Sequence, residues 1–138
     1  MTKTHYNDKI MLVIDMECLF CKIVNKEVSS YKLYEDDFVI VIMDAYPNVD
    51  GHTLIIPKKH YDTFMDIPDD LLTHINEIAK KYTNHIMKRL NAKELSILVN
   101  YGNAQKIKHY HMHLIPNHGM LPERDVKEVF EVLRNEKD

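Results

Sequence analysis

His109-Tyr110-His111-Met112-His113-Leu114-Ile115-Pro116 is the stretch on which the reading of this chain turns. Its side chains alternate in the period of a β-strand with one buried face. On such a strand His109, His111 and His113 share a face at steps of about 6.6 Å, while Tyr110, Met112 and Leu114 point into a core. A buried imidazole needs hydrogen-bond partners, so three in a row are costly as packing alone. The pattern points to catalysis or to metal binding, because two histidines at i and i+2 can chelate one zinc; spacing does not choose between them. His5, His74 and His85 stand alone and are read as structural.

Upstream of this strand, Glu94 to Asn100 reads as another, and the loop Asn100-Tyr101-Gly102-Asn103-Ala104-Gln105 leads from it towards the histidines. Leu71, Ile75, Ile78, Tyr82, Ile86 and Leu90 recur at three- and four-residue steps and predict a helix over 69–90. Pro68 precedes it, Asp69 and Asp70 suit its positive end, and Lys88 and Arg89 suit the other. Earlier still, residues 31–35, 38–43 and 52–57 read as strands separated by Asp36-Asp37 and by a Pro-Asn and Asp-Gly turn region. Cys18 to Val24 predicts a short helical segment, and Glu123 to Leu133 a final amphipathic helix. The expected fold is α+β: an antiparallel sheet of about five strands with one long helix and a C-terminal helix. Residues 1–16 read as an N-terminal extension and 17–138 as a single domain, with no repeat or linker.

Of the 138 residues, 45% are hydrophobic and 28% charged, a balance that excludes disorder as the default. No apolar run approaches the roughly 18–20 residues that span a bilayer. Ile10 to Ile14 lacks the basic flank and small-residue site of a signal peptide, so a cytoplasmic location without membrane association is expected. Net charge is −3 with both signs interleaved, which gives no basic stripe for polymeric nucleic acid. The two cysteines, Cys18 and Cys21, form a C-x-x-C pair. In a reducing compartment that leaves metal binding, redox chemistry or plain burial open.

The H-x-H-x-H strand followed by Leu114-Ile115 resembles the signature of the histidine triad family of nucleotide hydrolases and transferases. Gly51-His52-Thr53-Leu54-Ile55-Ile56-Pro57-Lys58-Lys59-His60 is similar to an upstream block of that family, and Asp44 and Cys18-Leu19-Phe20-Cys21-Lys22-Ile23 to another. The resemblance covers roughly residues 17–118. It implies that His111 attacks the α-phosphorus of a small nucleotide, such as a dinucleoside polyphosphate or a nucleoside phosphoramidate, through a nucleotidyl-histidine. His113 and Gln105 would bind and orient the phosphate, Asp44 the ribose hydroxyls, and Asn100 the sugar–phosphate region. Leu19, Phe20, Ile23 and Ile42 would form the base slot, with ordinary core packing as the alternative for Phe20 and Ile42. It also implies a structural zinc on Cys18, Cys21, His60 and His109, no organic cofactor, and a homodimer built through the long helix and a sheet edge.

The chain departs from that family where Gly-Gln followed by Ser or Thr is usual: here Ala104-Gln105-Lys106 stands, in a loop about two residues shorter. The missing hydroxyl concerns the leaving group, and Lys106 would instead suit an anionic one, or simply be solvated. Two other functions remain consistent with the residues. One is a non-catalytic nucleotide- or partner-binding module of the same fold; the other is a catalytic zinc on His109, His111 and His113, which leaves the C-x-x-C unexplained.

Overall fold

The computed structural model describes residues 18–117 and 119–134; the expected extension over 1–16 and its boundary lie outside them. The fold is organised by two strands, β2 (Val39–Met43) and β3 (Thr53–Pro57), in which every residue is buried. Runs of β-branched and aliphatic residues suit strands covered on both faces. β2 pairs antiparallel with β1 (Lys32–Glu35) and with β3, and β5 (Met112–Pro116) pairs with β3 and with β4 (Leu95–Leu98). The result is a five-stranded antiparallel sheet in the order β1-β2-β3-β5-β4.

Alternation along the central strands creates two different cores. Val39, Val41, Met43, Ile55, Met112 and Leu114 face one side, with Ile75, Ile78, Tyr82 and Ile86 of the long helix and Val129 and Leu133 of the C-terminal helix. Ile40, Ile42, Leu54 and Ile56 face the other, against Phe20 of the short N-terminal helix. These helices are α1 (Leu19–Val24), α2 (Asp69–Arg89) and α3 (Val126–Arg134). α2 keeps the expected span and stripe within a residue. His74 and His85 are structural here: one meets the Asp36 carboxylate at 2.6 Å, the other the Leu133 carbonyl at 2.6 Å.

Several elements are shorter than the sequence predicts: β4 covers Leu95–Leu98 within the expected 94–100, α3 starts at Val126 rather than at 123, and β5 is the most consequential case. The strand expected over 109–116 begins at Met112. β3 ends at Pro57, which has no N–H to extend the ladder, and the β3–β5 pairing stops at Ile55 and Met112. Tyr110 instead donates its N–H to the Tyr61 carbonyl at 2.7 Å. The alternation survives this change: Tyr110 and Met112 remain in the α2-side core, and the histidines lie on the opposite side.

Candidate functional site

Two histidine clusters sit end to end on the α1 side of the sheet. In the first, Cys18 caps the N-terminus of α1 and Cys21 lies in its first turn, so the three-residue step brings both thiols to one side. Cys18 Sγ is 3.4 Å from His109 Nδ1; Cys21 Sγ is 3.5 Å from the same nitrogen and 3.2 Å from His60 Nδ1. The outer nitrogens are already committed: His109 Nε2–H donates to the Pro57 carbonyl at 2.8 Å and His60 Nε2–H to Asp62 Oδ1 at 2.7 Å. Each ring therefore turns an unprotonated Nδ1 inward, and these two lone pairs face each other at 3.1 Å. Burial holds the His109 imidazole down at about 4, so a second proton on that ring does not relieve the contact at neutral pH. A cation does. Tetrahedral zinc with two nitrogen and two sulfur ligands needs donor atoms roughly 3.3–3.8 Å apart. Outer-nitrogen bonds to a carboxylate and a carbonyl are the usual support of such a centre. The four residues could hold a metal ion, as the sequence implies.

The second cluster opens onto a cleft of about 810 Å³, a volume suited to a nucleotide-sized ligand. His111 is buried at its inner end, packed edge-to-face on Phe20 with ring centroids 4.9 Å apart. Its Nδ1–H donates to the His109 carbonyl at 2.8 Å, which fixes the tautomer and leaves Nε2 with a lone pair. Burial lowers its pKa and keeps the ring neutral near pH 7.

A chain of hydrogen bonds fixes the next ring in the opposite sense. The Asn48 N–H donates to His52 Nδ1 at 3.0 Å, so His52 carries its proton on Nε2. That N–H points at His113 Nδ1, 2.9 Å away, with Asp44 Oδ2 at 3.4 Å. His113 must accept there, and its own proton sits on Nε2, a buried atom without a hydrogen-bond partner among the described residues. Burial, with His111 and His52 beside it, holds His113 down at about 4. One neutral imidazole thus offers a lone pair and its neighbour an N–H. That combination can attack an electrophilic phosphorus and bind the oxygen that gains charge.

Leu19, Phe20, Ile23, Ile42, Asp44, Asn100 and His113 all line the cleft, and Lys106 and Ile107 line it too. Gln105 does not. The sequence placed it on the phosphate, but its side chain is buried and its Nε2 donates to the Asp62 carbonyl at 2.6 Å and the Ile107 carbonyl at 3.0 Å. Asp62 lies in the loop after β3 and Ile107 in the turn after Gly102–Ala104, so neither carbonyl has a strand partner, and the amide satisfies both. His52 is the reverse case. Nothing in the sequence marked it beyond its place at the head of a resembling block, yet it joins Asn48, Asp44 and His113 into one network.

The HIT domain family matches residues 25–120. The adenosine 5′-monophosphoramidase of Saccharomyces cerevisiae is 39% identical over 105 residues, covering 75% of this chain and 64% of that protein. The adenylylsulfatase of Arabidopsis thaliana is 39% identical over 120 residues, covering 86% of this chain and 59% of that protein. A zinc-bound histidine triad protein from Mycobacterium smegmatis superposes with a TM-score of 0.80 at 30% identity, over 87% of this chain and 92% of that one. Five antiparallel strands in the same arrangement, and a matched span that holds all five histidines of the two clusters, place this chain in the HIT family.

Proposed function

We propose that this protein is a nucleotide hydrolase or nucleotidyl transferase that works through a covalent intermediate on His111. The observation that carries the reading is the tautomer of that ring: Nδ1–H is held by the His109 carbonyl, so the nucleophilic nitrogen faces the cleft. Two relatives are named for cleaving small nucleotide derivatives, which agrees with that chemistry.

The base enters the apolar slot of Leu19, Phe20, Ile23 and Ile42, and Asp44 accepts from the ribose hydroxyls. Asn100 binds near the sugar and phosphate. His111 Nε2 forms a bond to the α-phosphorus while the bond from phosphorus to the leaving group breaks. His113 Nε2–H donates to a non-bridging oxygen as negative charge accumulates on it. Water then cleaves the N–P bond and releases the nucleoside monophosphate. Asn48 and His52 keep His113 in the donating tautomer, and Gln105 holds the loop rather than the phosphate.

Cys18, Cys21, His60 and His109 hold a structural zinc in this reading. Zinc here closes a four-ligand site and supplies rigidity, since no ligand position remains for water or substrate. The division of labour is therefore His109 for metal and His111 for chemistry. The homodimer forms through α2 and the β4 edge, where Ile97 is exposed, and the protein works in the cytoplasm on small nucleotides. No helix of the described residues is long and apolar enough to cross a membrane.

The test is a comparison of zinc content and turnover in wild type and His111→Ala. Turnover of a nucleoside phosphoramidate or a dinucleoside polyphosphate is expected to be lost while zinc content stays intact. Loss of zinc together with activity would overturn the assignment and favour a zinc held by the triad.

A further inference from the structure

Lys106 and Lys108 flank Ile107, and the fold uses them in opposite ways. Lys108 turns back on its own loop, where Nζ donates to the Gly102 and Gln105 carbonyls, both at 2.9 Å. Ile107 packs against the cluster of Phe20, Ile42 and Leu54. Gln105 is buried and bonded to the Asp62 and Ile107 carbonyls. Three anchors, at Gln105, Ile107 and Lys108, thus fix the backbone on either side of Lys106. Lys106 itself is exposed, with no hydrogen bond or ion pair among the described residues, and it lines the cleft together with Asn100, His111 and His113.

The cleft carries few fixed charges among its described lining residues. Lys106 is the only lysine or arginine among its described lining residues, and Asp44 is the only carboxylate. A nucleotide carries at least one negative charge at its α-phosphate, and a phosphate or sulfate leaving group departs with one to two more. The described wall offers one fixed cation to meet that charge.

Resting on the reading that His111 attacks the α-phosphorus, we propose that Lys106 is the leaving-group residue and selects substrates whose leaving group is an oxoanion. Such groups are a second nucleotide's phosphate, a pyrophosphate or polyphosphate, or a sulfate. The balance is simple. As the bond to phosphorus breaks, its electron pair stays on the departing oxygen, and the ammonium of Lys106 stabilises that oxygen without giving up its proton. An amine leaving group has the opposite need. It must gain a proton to depart, and a fixed cation supplies charge rather than a proton. A cation beside a nitrogen that is becoming cationic is also unfavourable.

The test uses the zinc-loaded protein and its Lys106→Ser and Lys106→Arg variants, with a dinucleoside tetraphosphate and an adenosine 5′-phosphoramidate as substrates. One charge-assisted hydrogen bond predicts a drop in kcat/KM of about 10- to 100-fold on the polyphosphate in Lys106→Ser. The phosphoramidate rate should not fall, because the variant removes a cation that opposes an amine leaving group, and Lys106→Arg should keep most of the polyphosphate rate. An unchanged substrate ratio, or an equal loss on both, overturns the proposal. Binding of ADP and AMP, measured by calorimetry, decides independently of turnover. Wild type should prefer ADP by roughly tenfold, and Lys106→Ser should lose that preference. An equal preference in both proteins overturns the proposal. Absence of turnover on both substrates by wild type counts instead against the His111 reading, and the binding arm still decides for Lys106.

Discussion

At the scale of single residues the account depends on where protons sit. His113 accepts from His52 at Nδ1, so a second proton on the ring would set two N–H groups against each other across 2.9 Å. Burial already disfavours the charged form, and His113 is held down at about 4. A ¹³C-imidazole NMR titration should show the His113 midpoint close to that value, and a midpoint near 6.5 would contradict the network. The sign for stability follows. The folded pKa lies below the unfolded one, so between about pH 6.5 and 4 the unfolded chain binds more protons than the folded one. His113's contribution is fully present above about pH 6.5 and is lost as pH falls towards 4. Sequence reading found His111 and His113 because alternation is a local property. It missed His52, whose meaning lies in a contact made 61 residues away. It misplaced Gln105 because a glutamine's partners depend on which carbonyls a loop leaves unpaired.

At the scale of elements two couplings can be measured. The β2–β3 turn passes close to the end of α2: a Cβ on Gly51 would lie 2.4 Å from Leu90 Cδ1 and 3.0 Å from Pro116 Cγ, at φ +93. Leu90 can rotate away, but the left-handed backbone remains strained with any other residue. Gly51→Ala should cost about 2 kcal/mol, read as a lower midpoint in urea with an unchanged m-value. The second coupling is the Cys18, Cys21, His60 and His109 cluster, which joins α1 to the segments following β3 and preceding β5. Removing the metal with a chelator, or Cys18→Ser, should cost about 3 kcal/mol and lower Tm by roughly 10 °C. An unchanged Tm after chelation would mean that the cluster contributes nothing to stability. Element identities were legible throughout, because hydrophobic period is written locally; the late start of β5 was not. It is set by Pro57 ending the neighbouring strand, a fact of register that no single segment contains.

For the whole molecule, the sheet has buried centres and two edges. Its β4 edge carries Ile97, 52% exposed, beside Met87 and Lys88 of α2. An exposed apolar edge strand invites pairing with a second copy, in line with the homodimer proposed above. Light scattering should then report about twice the 16.3 kDa chain mass, and Ile97→Lys should shift it towards the monomer. A monomeric wild type would contradict the homodimer and would not bear on the His111 tautomer, which the His109 carbonyl of the same chain holds. The two histidine clusters are linked through the backbone of His109, so rigidity in one sets geometry in the other. His109 anchors to the Pro57 carbonyl through its side chain and to His111 through its own carbonyl.

Rapid quenching of the enzyme with a nucleotide labelled at its α-phosphorus tests the nucleophile most directly, when followed by peptide mapping of the denatured protein. The expected result is a single acid-labile nucleotidyl adduct on His111, absent in His111→Ala and present in His52→Ala. Label on another side chain, or turnover retained by His111→Ala, would contradict it.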